Sequence, residues 1–265
     1  METTGLADVR GIRIVYEWAG TAAEPDLVWA HGLSQTRAAE ATLGVVDVAA
    51  LPARVLRYDA RGHGESTTSP EPDGYGWDQL ALDQLALADS LGVERYIAAG
   101  ASMGCGTALH AALIAPDRIT RCVLVIPPTA WESRTAQVDE WAAVASLLER
   151  EGVEPVIAAR AQRALPDPLA SDPTVRDHQA AALRAWDTDR LAVVMRGAAQ
   201  ADLPPRERLA AIAVPTMVLA WSGDPVHPLS TAEQLADLIP QSTLHVATSA
   251  AELAAWTALV AEFIT

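Results

Sequence analysis

Gly100-Ala101-Ser102-Met103-Gly104 constrains the fold more than any other stretch of this chain. It joins an apolar run, Tyr96–Ala99, to residues 102–115, which read as a helix of small side chains ending before Pro116. Where a strand turns directly into a helix the two backbones nearly touch, so the positions flanking the bend tolerate almost no side chain. Glycine on either side leaves Ser102 at the apex of a sharp turn. Its hydroxyl then stands at the carboxyl end of the strand, beside the free N–H groups that open the helix.

The rest of the chain supplies partners for such a unit. Residues 9–18 alternate well enough for an initial strand or hairpin, and short buried strands are expected at 27–30, 54–59, 121–126, 216–221 and 243–247. Leu80, Leu82, Leu85, Leu87 and Leu91 mark a helix over 78–91 that Gly92 stops, and residues 251–264 read as a terminal helix. This alternation is the rhythm of a mostly parallel sheet covered by helices. Between about 131 and 205 the strand signal vanishes. Trp141, Val144 and Leu148 keep helical spacing, and 153–165, 173–186 and 190–199 read as further helices. We therefore expect a core of residues 1–130 and 206–265, with residues 131–205 inserted as a helical cap.

Composition narrows the partners. The formal charge is −15, and all 19 cations are arginine, with no lysine. An acidic surface repels nucleic acid and anionic membranes, so neither is expected as a partner. Cys105 and Cys122 both fall in segments read as buried, which argues against a disulfide framework. The first ten residues lack the basic-then-apolar order of a signal peptide, and no apolar run approaches the ~20 residues of a membrane span. A cytoplasmic protein is expected. No clustered His/Cys/Asp spacing suggests a metal, and the Gly100–Gly104 turn lacks the lysine of a phosphate loop.

Two more turns follow strands. At His31-Gly32-Leu33-Ser34 the chain must bend so that the Leu33 N–H faces Ser102; with the Met103 N–H it would form an oxyanion hole. His31 reads as a residue that fixes this loop. The glycines of Asp59–Ser66 make a turn below the site, with His63 in a structural place. The ordered set HGLS, DARGHGES, GASMG and GDPVHP resembles the α/β-hydrolase superfamily, in the branch of capped esterases, lactonases, carbon–carbon bond hydrolases and cofactor-free haloperoxidases. The likeness covers nearly the whole chain except the cap. It implies an α/β-hydrolase fold, with a mostly parallel eight-stranded sheet, helices on both faces and the site at the carboxyl edge. It also implies Ser102 as nucleophile, Leu33 and Met103 as oxyanion donors, Asp224 as triad acid, and no cofactor.

The pattern breaks at the base. Family members carry the triad histidine in the loop after the last strand, which here reads Ala247-Thr248-Ser249-Ala250-Ala251-Glu252. Six histidines remain, at 31, 63, 110, 178, 227 and 245. His110 lies two turns down the helix after Ser102, His178 belongs to the cap, and His245 sits within a strand. His227 shares the Asp224 loop, three residues on, and is the candidate base; His245, His178 or no base at all stay open.

The expected function is a serine hydrolase acting through an acyl-enzyme at Ser102 on a small, fairly apolar ester, lactone or related carbonyl compound. Two other readings stand beside it: a hydrolase-fold protein without a base that binds a small molecule, and a perhydrolase-like use of the same site. Trp131, Trp141 and Trp186 are candidate substrate contacts under the cap, although core packing accounts for them equally well. A homodimer is compatible with the sequence.

Overall fold

A computed structural model describes residues 3–69 and 72–265; Met1, Glu2, Pro70 and Glu71 lie outside the described residues. Its centre is a sheet of eight strands in the order β1-β2-β4-β3-β5-β6-β7-β8. β1 (Thr3–Val9) and β2 (Ile12–Ala19) form an antiparallel hairpin, and β2 also runs antiparallel to β4 (Arg54–Tyr58). The rest pair in parallel: β3 (Asp26–Ala30), β4, β5 (Tyr96–Ala101), β6 (Ile119–Val125), β7 (Thr216–Trp221) and β8 (Ser242–Ala247).

Parallel strands buried on both faces need apolar side chains in both directions, and the buried residues divide accordingly. Val28, Leu56, Ala98, Leu124 and Val218 project into one core cluster. Leu27, Val55, Ile97, Val123 and Leu219, each one residue away, project into the other. In chain order the helices are α1 (Arg37–Leu43), α2 (Trp77–Ser90), α3 (Met103–Ile114), α4 (Arg134–Glu151), α5 (Glu154–Ala161), α6 (Val175–Arg184), α7 (Thr188–Ala199), α8 (Arg206–Leu209), α9 (Leu229–Leu238), α10 (Ala250–Ala254) and α11 (Trp256–Ile264). Residues of α2, α3 and α9 cover the first face, and Trp256, Val260 and Ile264 of α11 cover the second.

The eight-stranded, mostly parallel sheet with helices on both faces agrees with the sequence expectation. Two local differences stand out. The helices α1 and α9 lie where no helix was expected. The terminal helix divides at Ala255, whose N–H bonds Glu252 O rather than continuing the four-residue ladder, and Trp256 follows as a buried residue. Between β6 and β7 the regular elements are helical throughout, and α4 packs along α7. No helix among the described residues is long and apolar enough to cross a membrane.

Candidate active site

The bend between β5 and α3 has the geometry that its glycines require. Ser102 sits at φ 51°, ψ −108°, a conformation that L-residues adopt only where the surroundings impose it. Its N–H donates to Val125 O at 2.9 Å and its carbonyl accepts Cys105 N–H at 2.9 Å, pinning the turn to β6 and α3. A Cβ on Gly100 would lie 2.5 Å from Ala30 O, and one on Gly104 would collide with the same carbonyl. Cys105 is a packing residue: its thiol donates towards Val125 O at 3.2 Å, and burial pushes its pKa far up, away from thiolate chemistry.

The loop after β3 lies against this turn, since a Cβ on Gly32 would sit 3.7 Å from Ser102 Cβ. His31 holds the loop. Its Nδ1 lies 2.8 Å from Gly32 O and its Nε2 accepts Ala60 N–H at 3.0 Å, which together define the neutral Nδ1–H tautomer. Burial lowers its pKa, consistent with that neutral form. Among the described residues no protein acceptor takes the N–H of Leu33 or of Met103. His63, equally buried, donates from Nδ1 to Arg61 O at 2.9 Å and packs edge-on against Trp186.

After β7 the chain turns through Ser222-Gly223-Asp224-Pro225-Val226-His227-Pro228. Asp224 Oδ1 accepts Val226 N–H at 2.8 Å and lies 3.4 Å from His227 N. A carboxylate that caps its own loop two and three residues on folds that loop back over itself. The imidazole is thereby brought beside the carboxylate, with His227 Nδ1 2.7 Å from Asp224 Oδ2. Its other nitrogen, Nε2, is 2.9 Å from Ser102 Oγ. Burial of Asp224 opposes its ionisation, yet the bonds and charge of His227 and the backbone N–H groups hold its pKa below the ordinary value.

The other histidines lie elsewhere. His110 is bonded to Asp202 O, His178 is exposed on α6, and His245 is paired with Leu219 inside β8. The loop after β8 is closed by its own side chains: Ser249 caps α10, while Thr248 N–H, Thr248 Oγ1 and Ser249 Oγ all bond Glu252 Oε2.

The three candidate tryptophans separate. Trp186 reaches the loop beside Ser102, its indole N–H donating to Ser34 O at 3.2 Å. Trp141 is buried in the core with the Arg134 guanidinium 4.1 Å above its ring. Trp131 donates to Pro204 O and lines a groove of about 650 Å³ with Glu132, Leu203 and Arg206, a groove that contains none of Ser102, Asp224 and His227. Trp221, which sequence reasoning passed over, does reach the group, donating its indole N–H to Asp224 Oδ2 at 3.0 Å. Its place three residues before Asp224, at a strand end, was the available signal.

The elbow at Ser102, the carboxyl-edge loops and the strand order define one fold class, and the chain belongs to it: residues 27–259 match the family model described as the alpha/beta hydrolase fold. Among its relatives is 3-oxoadipate enol-lactonase 2 of Acinetobacter baylyi, 31% identical over 193 residues, 72% of this chain and 69% of that protein. A putative carbamate hydrolase, RutD, of Pseudomonas syringae pv. syringae is 30% identical over 194 residues, 72% of this chain and 73% of that one. The crystal structure of the enol-lactonase from Burkholderia xenovorans superposes with a TM-score of 0.81 at 25% identity, covering 98% of this chain and 99% of that chain.

Proposed function

We propose that this protein is a serine hydrolase of small, fairly apolar esters, lactones or related carbonyl compounds, working through an acyl-enzyme on Ser102. One observation carries the reading: the unbroken path from Ser102 Oγ to His227 Nε2 (2.9 Å) and from His227 Nδ1 to Asp224 Oδ2 (2.7 Å). Ser102 Oγ attacks the carbonyl carbon while its proton passes to His227 Nε2. Asp224 keeps the Nδ1–H tautomer and stabilises the imidazolium. The Leu33 and Met103 N–H groups receive the oxyanion, each worth about 3 kcal/mol in the transition state. The proton on Nε2 then goes to the leaving oxygen, and water, activated by the same nitrogen, releases the acid.

The enol-lactonase and carbamate hydrolase relatives support hydrolysis at a carbonyl carbon. In this reading the 131–205 insertion caps the site, and Trp186, beside the Leu33 loop, is its substrate contact. The protein needs only its small-molecule substrate and acts in the cytoplasm.

The test uses a fluorophosphonate probe and 4-nitrophenyl acetate. Labelling is expected at Ser102, and Ser102→Ala abolishes it. His227→Ala lowers kcat by about 10³-fold or more. A folded protein that takes no label, or a His227→Ala variant with full turnover, overturns this mechanism.

A further inference from the structure

Asp224 Oδ2 serves two donors at once, His227 Nδ1–H at 2.7 Å and Trp221 Nε1–H at 3.0 Å. Trp221 ends β7 and is 6% exposed. Its ring stacks on Trp256 of α11, centroids 6.2 Å apart at 24°, and meets the His227 ring edge-on at 6.1 Å and 73°. The indole is therefore backed by the terminal helix while its N–H bonds the carboxylate and its ring lies next to the imidazole.

Such a bond has consequences for a carboxylate that orients a base. Charge-assisted N–H···O bonds are short and directional, and a second donor on the same oxygen opposes rotation of the carboxylate plane. It also withdraws charge from the oxygen that the imidazole N–H sees. Acid and base here share one seven-residue loop, 222–228, so any rotation of the acid is passed directly to the base. We infer that Trp221 is a positioning residue: its indole N–H fixes the Asp224 carboxylate and thereby the direction and proton affinity of the imidazole facing Ser102. This inference rests on the triad reading of the preceding section.

Trp221→Phe keeps an aromatic ring against Trp256 and removes the donor. On 4-nitrophenyl acetate we expect kcat to fall about tenfold with KM within about twofold. The acid limb of kcat/KM should move to higher pH by about half a unit, because Oδ2 freed of the indole attracts the imidazolium more strongly. The low-field Nδ1–H proton resonance should shift as well, with no substrate present. Trp256→Phe is the packing control: it is expected to lower the unfolding midpoint and leave the acid limb in place. If Trp221→Phe does not fold, β-(benzothienyl)alanine at position 221 replaces the N–H by sulfur within the same outline. A donor-less protein with kcat within twofold of the parent and an unmoved limb overturns the inference, and so does an equal limb shift in Trp256→Phe. His227→Ala in the same assay distinguishes the two failures. Full turnover there removes the triad reading and this inference together; lost turnover there, with kcat within twofold and an unmoved limb in Trp221→Phe, removes only the role of Trp221.

Discussion

Glu40 shows how one buried side chain links pH to stability. It lies in α1, buried, and its Oε2 accepts the Nε1–H of Trp29 on β3 at 2.6 Å. Burial raises its pKa from an ordinary 4.5 to about 7, against the opposing pull of the Trp29 bond, the charge of Arg57 and the Gly32 N–H. Arg57 is itself paired with Glu17, which also faces Arg37, so the neighbouring cations are shared. The folded value lies above the unfolded one, so the folded chain holds this proton more tightly. The stabilisation is full below pH about 4.5 and is lost as pH rises to about 7, a loss of about 3 kcal/mol from this group. Glu40→Gln keeps an acceptor for Trp29 and removes the titration. Urea unfolding at pH 5 and pH 8 should show the parent losing about 3 kcal/mol more than the variant between the two; equal losses would contradict this account.

At the level of elements, a short turn between α5 and α6 supports the loop after β7 that carries Asp224 and His227. The 3₁₀ turn Asp167–Leu169 docks on the residues after β7: Asp167 N–H donates to Ser222 O at 3.0 Å, and Ser222 Oγ donates to Asp167 Oδ2 at 2.6 Å. Gly223 follows at φ 79°, and a Cβ there would fall 2.5 Å from Asp167 Oδ1. Gly223→Ala meets both the backbone penalty and the collision. It should cost about 1–3 kcal/mol in thermal unfolding and reduce kcat, since Asp224 and His227 ride on the same loop. Asp167→Ala, which only removes bonds, should cost about 1 kcal/mol. Nothing in the sequence pointed to Asp167, because its partner is 55 residues away and the course of the insertion between them has no local signature. The helix α9 was missed for a different reason: its apolar stripe is short and directly follows a proline-rich loop.

Across the whole molecule, arginine fastens the helices between β6 and β7 to the turn after β4 and to α2. Arg190 of α7 donates to the carbonyls of Gly62 (2.8 Å), Gly64 (2.9 Å) and His63 (3.3 Å), and to Ser66 O, so one guanidinium gathers the turn after β4. Arg134, 3% exposed, lies between the rings of Trp77 and Trp141 and donates to Ala201 O at 2.8 Å and Ala198 O at 2.9 Å. Burial draws its pKa down to about 10, which leaves it charged at neutral pH. An ammonium group cannot span four carbonyls in a plane. Arg190→Lys should therefore lower stability by about 2–3 kcal/mol in urea unfolding; a loss under about 0.5 kcal/mol would show that the fork geometry contributes little.

The sequence by itself determined what short covalent reach can determine. Two glycines two residues from a serine, at a strand–helix junction, force the bend at Ser102, and a histidine three residues from an aspartate can be turned back onto it by that aspartate. The fold class followed from the same local punctuation, together with apolar runs too short and too uniformly buried for anything but strands. Only the tertiary structure decided that Nε2 of His227, and of no other histidine among the described residues, meets Ser102 Oγ. It alone separated Trp186, which reaches the Ser34 loop, from Trp141 in the core and Trp131 in a groove lined by none of Ser102, Asp224 and His227. These outcomes depend on how segments 125 and 152 residues apart in the chain dock, and docking is set by mutual burial of surfaces that no local spacing encodes.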